Sequence, residues 1–218
     1  MTTVYPGRVP FFSVIICAYN RAGLLPRALD SLLAQTEPDW EAIIVDDGSA
    51  DATFQVASSH AARDARFRYL YHRNRGTGLS RNAGLLAACG LFVTFLDSDD
   101  EYLPEHLAVR REILHAYQQV DLLHGGVEIV GNPFVPDKND TSRLIHLAEC
   151  VIGGTFVMRR DRALEIGGFG AMRYADDTDF FERAERAGYL IGETDAPTYR
   201  YHRDTPDSLC NLLGAGTT

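Results

Sequence analysis

Short apolar runs alternate along the chain with stretches whose apolar residues recur at helical spacing. Runs at 13–18, 41–45, 67–71 and 91–96 read as strands, and the segments 24–35, 52–62 and 79–88 between them read as amphipathic helices. Repeated strand, helix, strand units predict a mainly parallel sheet with helices on both faces, because parallel neighbours need a crossover connection. Beyond Pro104 the pattern loosens into a long helix at 105–119, an apolar segment at 120–130 and a turn-rich stretch at 131–142. A short strand at 155–159 follows the glycines 153 and 154, another helix starts at 176–187, and residues from 204 on read as a tail. There is no internal repeat and no low-complexity block.

In open sheets of this kind ligands bind at the carboxyl ends of the strands. Three of the expected strands end in chemically useful residues: Tyr19-Asn20, Asp46-Asp47-Gly48-Ser49 and Asp97-Ser98-Asp99-Asp100. Such carboxylates pair with a cation, hold a metal or sit solvated at a strand end, since an uncompensated buried charge costs several kcal/mol. Asp47 is placed to accept the N–H of a base or the hydroxyls of a ribose, and Asp51 to cap the next helix. Tyr19 either stacks on a base or packs as a rim aromatic.

Composition narrows the partners. The 218 residues are 45% hydrophobic, enough for one substantial core, and the chain reads as one α/β domain, 1–218. A net charge of -9 with Lys138 as the only lysine excludes a basic nucleic-acid face and a polybasic membrane anchor. Cys17, Cys89, Cys150 and Cys210 are scattered without a C-x-x-C pair, as expected of core thiols in a reducing, cytoplasmic setting. No stretch reaches the ~20 apolar residues of a membrane helix, which leaves peripheral membrane association open.

Gly76-Thr77-Gly78 lacks the third glycine of a dinucleotide fingerprint, because Arg81 stands in its place, and there is no P-loop. The two glycines are expected to turn the chain into a helix bearing Arg81, whose N-terminus faces a ligand. Asp176-Asp177-Thr178-Asp179 opens a later helix, where acids serve either the helix dipole or, for Asp177, as a base in the cleft. His202 lies in what reads as a late loop, either solvated or a metal ligand.

Taken in order, SVIICAYNRAGLLPRALDSLLAQ, IIVDDGSADAT, NRGTGLSRNAGL, FLDSDDEYLP, GGTFVMRR, GGFG and ADDTDFFERAERAG resemble the family-2 glycosyltransferases of the GT-A fold, from about Ser13 to Ser208. The resemblance implies a Rossmann-like domain with a mainly parallel mixed sheet. Residues 9–104 would form its nucleotide-sugar-binding half, 105–203 its acceptor-binding half and 204–218 a tail. It also implies an inverting enzyme that moves sugar from a nucleotide-diphosphate donor, UDP favoured, to a saccharide or lipid-linked acceptor in polysaccharide or glycoconjugate synthesis. In that reading Tyr19, Asp47, Arg81 and Asp97 bind the nucleotide, Asp99 and His202 hold Mn2+ or Mg2+, and Asp177 is the catalytic base. The alternatives are a sugar-nucleotide nucleotidyltransferase, for which Tyr19-Asn20-Arg21-Ala22-Gly23 is a poor basic loop, and a non-catalytic sugar-nucleotide-binding protein.

Overall fold

The structure is a computed structural model that describes residues 9–140, 142–172 and 174–204. Cys210, Ser208 and, beyond Asp204, the tail expected at 204–218 lie outside the described residues. The first half follows the expected alternation: β1 (Phe12–Ala18), α1 (Leu25–Leu33), β2 (Trp40–Asp46), α2 (Thr53–Arg63), β3 (Phe67–Tyr71), α3 (Thr77–Ala87) and β4 (Phe92–Phe95). The second half holds β5 (Glu101–Tyr102), α4 (His106–Ala116), β6 (Leu122–Val130), β7 (Phe134–Pro136), β8 (Leu144–His146), β9 (Val157–Arg159), α5 (Arg160–Glu165), α6 (Asp176–Arg186) and β10 (Ile191–His202).

One eight-stranded sheet runs through both halves in the order β3-β2-β1-β4-β9-β6-β10-β5. β1 pairs in parallel with β2 and β4, and β3 with β2, as the crossover helices require. β9 joins the halves by antiparallel pairing with both β4 and β6. β10 is parallel to β6 and antiparallel to β5.

The sheet is buried on both sides because its strands carry apolar residues at consecutive positions. Val14, Ile16, Trp40 and Ile44 face α1 and α4, meeting Leu25, Leu29, Leu32, Leu107 and Leu114. Ile15, Ile43, Val45 and Phe95 face α3, α5 and α6, meeting Leu85, Ala163, Phe180 and Ala184. In α1 the buried Leu25, Ala28, Leu29 and Leu32 fall three and four residues apart, so one stripe covers the sheet while Pro26 at the first turn costs no hydrogen bond. Leu29 is fully buried in this stripe. Leu29→Ala is expected to lower unfolding stability by about 2–5 kcal/mol in urea titration, through lost burial and the cavity left behind.

The turn-rich stretch expected at 131–142 instead holds β7, which pairs with β8 as a hairpin off the main sheet. Val135, Leu147 and Ile152 pack it on Val127, Ile129 and Tyr201. The late loop expected around His202 is the end of β10. Its sequence IGETDAPTYRYH has no apolar run, and its pairing to β6 slips between Thr194 and Tyr199, beside Pro197.

Candidate functional site

The carboxyl ends of β1, β2 and β4 open on a cavity of about 690 Å³. Tyr19, Asp47, Arg81, Asp97 and Asp99 line it from the strand-end side. Asp177, Gly153, Tyr174 and Met172 line the other side together with hairpin residues that include Pro136, Lys138 and Arg143. Six of the seven site residues expected from sequence therefore share one cavity. His202 stands outside that lining.

The rim is built by strand-end loops that hydrogen-bond to one another. Asn20, at φ 54, donates its N–H to Ser49 Oγ at 2.9 Å and accepts from the Ala50 N–H at 2.9 Å. Asp51 does not cap α2 from the N-cap position, which is Ala52. It accepts from the N–H groups of Ala22 and Thr53, both at 3.0 Å, and so ties the loop after β1 to the start of α2. Tyr19 is 49% exposed and lines the cavity at this rim.

Asp46 and Asp47 divide their work. Asp46 accepts from Ser49 N–H at 2.8 Å and Tyr69 Oη at 2.6 Å, which closes the turn after β2. Asp47 accepts the N–H of Arg75 at 2.8 Å and of Gly76 at 2.9 Å, with the His72 ring at 3.2 Å. Each carboxylate oxygen keeps further lone pairs for a ligand. Gly76, at φ +91, turns the chain into α3 as expected. Gly78 does not shape the turn: a Cβ there would meet Gly170 O at 2.3 Å, so its role is close approach of the loop after α5.

Arg81 is buried at the cavity floor, donating from Nη2 to Asp97 at 3.1 Å and from Nη1 to Asp176 at 2.9 Å. Burial alone would lower its pKa, but the charges of Asp176 and Asp97 hold it well above the usual arginine value. Asp99 is raised by burial first and then by the neighbouring Asp97 charge, with Arg21 and Arg27 opposing. Its backbone carbonyl accepts from Arg27. Cys17 beneath the pair has its thiol pushed up to about 12 by burial, so it is no nucleophile at neutral pH.

The three acids opening α6 separate by partner. Asp176 is engaged by Arg81, and Asp179 by Arg183 Nε at 2.9 Å. Among the described residues Asp177 accepts from backbone N–H groups, those of Gly153 at 3.0 Å and of its own neighbour Thr178 at 2.8 Å. Burial raises its pKa above the usual carboxylate value, against the lowering effect of Arg81.

His202 Nε2 lies 3.1 Å from Glu101 and its Nδ1 3.5 Å from Asp204, and Nδ1 is buried without a hydrogen-bond partner. Among the described residues no three His, Cys, Asp or Glu side chains stand close enough to hold a metal by themselves. The cavity offers the hard carboxylate oxygens of Asp97 and Asp99, while the unpartnered His202 ring nitrogen lies outside its lining. That set fits an oxygen-liking ion that takes its remaining ligands from phosphate and water, as Mg2+ sites commonly do.

Sequence reasoning missed His72 beside Asp47, Cys17 at the floor and the hairpin wall. The turn-rich composition of 131–142 marked the hairpin only as a loop, and His72 follows β3 with no motif around it.

A doubly wound sheet with an acidic crevice at its switch of strand order has the GT-A type of fold. Residues 13–119 match the family described as Glycosyl transferase family 2, and the chain belongs to that family. An uncharacterized glycosyltransferase, EpsJ of Bacillus subtilis, is 40% identical over 222 residues, covering 94% of this chain and 64% of EpsJ. S. aureus TarS 1-349, solved in complex with UDP-GlcNAc, matches with a TM-score of 0.74 at 24% identity, over 91% of this chain and 60% of that one. The mannosyltransferase PcManGT of Pyrobaculum calidifontis, in complex with GDP-Man and Mn2+, matches with a TM-score of 0.69 at 20% identity, over 89% of this chain and 57% of that one. At those identities the two structures show the fold alone. The chain spans less than two thirds of the length of each of these proteins. No helix among the described residues is long and apolar enough to cross a membrane.

Proposed function

We propose that the protein is an inverting glycosyltransferase that takes sugar from a nucleoside-diphosphate donor, UDP-linked by preference, and passes it to a hydroxyl of a saccharide or lipid-linked acceptor. The observation that carries this reading is the placement of Asp97 and Asp99 on one side of a single cavity and of Asp177, without a side-chain hydrogen bond, on the other. Family membership supports the transferase and weighs against the nucleotidyltransferase alternative. The UDP-GlcNAc bound by TarS supports the choice of donor.

Asp47 would read the base and Tyr19 stack on it, while Asp97, kept in place by Arg81, would meet the ribose. Asp99, with His202 turned away from Glu101, would hold Mn2+ or Mg2+, an assignment in keeping with the Mn2+ of PcManGT. When bound, that ion would supply positive charge against the leaving nucleoside diphosphate. Asp177 Oδ1 or Oδ2 would accept the proton of the acceptor hydroxyl as its oxygen attacks the anomeric carbon from the face opposite the diphosphate. The Gly153 N–H orients that carboxylate. One displacement inverts the anomeric centre.

A thermal-shift panel of UDP, GDP, ADP and CDP with and without Mn2+ tests the reading. A ligand at a hundred times its dissociation constant adds about 2.7 kcal/mol of stability, and UDP with Mn2+ is expected to give the largest shift. A panel in which no nucleotide stabilises the protein contradicts it. His202→Ala is expected to weaken Mn2+-dependent UDP binding about tenfold while changing the melting temperature little. Unchanged binding would return His202 to a purely structural place on β10.

A further inference from the structure

Asp100 follows the two acids that line the cavity, yet it is 0% exposed and points away from it. Its Oδ2 accepts from Tyr199 Oη at 2.6 Å and its Oδ1 from the His202 N–H at 2.7 Å. The same Tyr199 hydroxyl accepts the Asp97 N–H at 3.4 Å, and the Asp100 N–H donates to Asp97 O at 3.0 Å. Tyr199 thus grips both ends of the turn that presents Asp97 and Asp99, and Asp100 fastens that turn to the strand that carries His202. The Tyr199 ring is seated against Gly154, where a Cβ would meet Oη at 2.2 Å and Cζ at 2.4 Å, so only glycine admits it. The adjoining Gly153 N–H is the one that orients Asp177.

We infer that Tyr199 and Asp100 form a positioning brace that sets Asp97 and Asp99 relative to His202, so that the metal and diphosphate meet a preformed site; this rests on the nucleotide and metal roles proposed above. Neither residue is among those lining the cavity. A carboxylate fixed by two donors and a hydroxyl fixed at both its lone pair and its proton leave the turn one arrangement. Precise placement of this kind governs metal affinity, because ligands that must first be ordered bind more weakly.

The test is calorimetric titration of the full chain with UDP at a series of Mn2+ concentrations, alongside thermal unfolding. Tyr199→Phe keeps the ring on Gly154 and removes only the hydroxyl. It is expected to raise the Mn2+ concentration for half-maximal UDP binding about tenfold, the size of one well-placed hydrogen bond, and to lower the melting temperature because Asp100 loses a partner. The double variant Tyr199→Phe/Asp100→Asn also replaces the carboxyl that has lost its donor, so the melting temperature is expected to recover while the Mn2+ requirement stays high. A role confined to stability would give the opposite pattern. If Tyr199→Phe binds as the wild type does, or if affinity returns with stability in the double variant, the brace is overturned. A wild type that shows no Mn2+-dependent UDP binding overturns the functional reading, and the brace with it.

Discussion

Asp177→Asn is expected to lower sugar transfer about 10²-fold or more while UDP and Mn2+ bind as in the wild type, since the amide keeps the shape but cannot take a proton. The neighbouring acids should respond differently, and each for its own reason. Asp179→Asn removes a half-exposed pair with Arg183 and should leave turnover within a few fold. Asp176→Asn leaves the buried Arg81 with Asp97 alone, so its cost should appear mainly as lost stability. The pH profile adds an independent check. Burial holds the Asp177 pKa above the ordinary carboxylate value while Arg81 opposes and Asp176 adds to the rise. A base works only when deprotonated, so kcat/KM should climb with pH through that raised pKa, in a range where an exposed aspartate is already ionised. The same group makes its stability contribution below its unfolded pKa and loses it as pH rises through the folded value. Asp177→Asn should abolish the acid limb along with the rate. If Asp177→Asn keeps most of its turnover while a neighbour loses it, the base has been assigned to the wrong acid.

The second large effect is expected at Asp99. In Asp99→Ala the affinity for UDP in the presence of Mn2+ should fall by about 10–100-fold, to the level that chelation produces in the wild type. Chelation should then cost the variant nothing further, because both treatments remove the same interaction. The melting temperature should not fall with it: burial and the Asp97 charge both disfavour ionised Asp99, so removing that carboxylate relieves repulsion in the free protein. Binding that still responds to chelation in Asp99→Ala would place the ion elsewhere.

The first half of the fold was legible because each of its elements satisfies a local rule. Apolar runs at β1, β2 and β4 are buried on both faces, and the spacing of Leu25, Ala28, Leu29 and Leu32 marks α1. The three acidic or aromatic strand ends followed from that parallel order and meet in one cavity. The second half was harder to read. β10 is partly buried and polar, with Pro197 at its irregular register, and it is a strand because β6 and β5 pair with it rather than because of its own pattern. The hairpin of β7 and β8 depends on a small satellite core with Val127 and Tyr201, contacts far away in sequence. For the same reason Asp100 read as one more acid of a cluster: its partners Tyr199 and His202 come from a strand about a hundred residues further on. Arg81 was marked as a nucleotide-binding residue by its place near a helix start, and the two carboxylates that engage it come from β4's end and from α6.

The central claim is a single displacement with Asp177 as base, and the stereochemistry of the released sugar tests it most directly. Proton NMR can follow the slow hydrolysis of α-linked UDP-sugars by the full chain with Mn2+, where water takes the acceptor's place and no acceptor need be known. The account predicts that the β-anomer forms first and that Asp177→Asn slows its formation about 10²-fold or more. First release of the α-anomer, or a rate indifferent to Asp177→Asn, would contradict it.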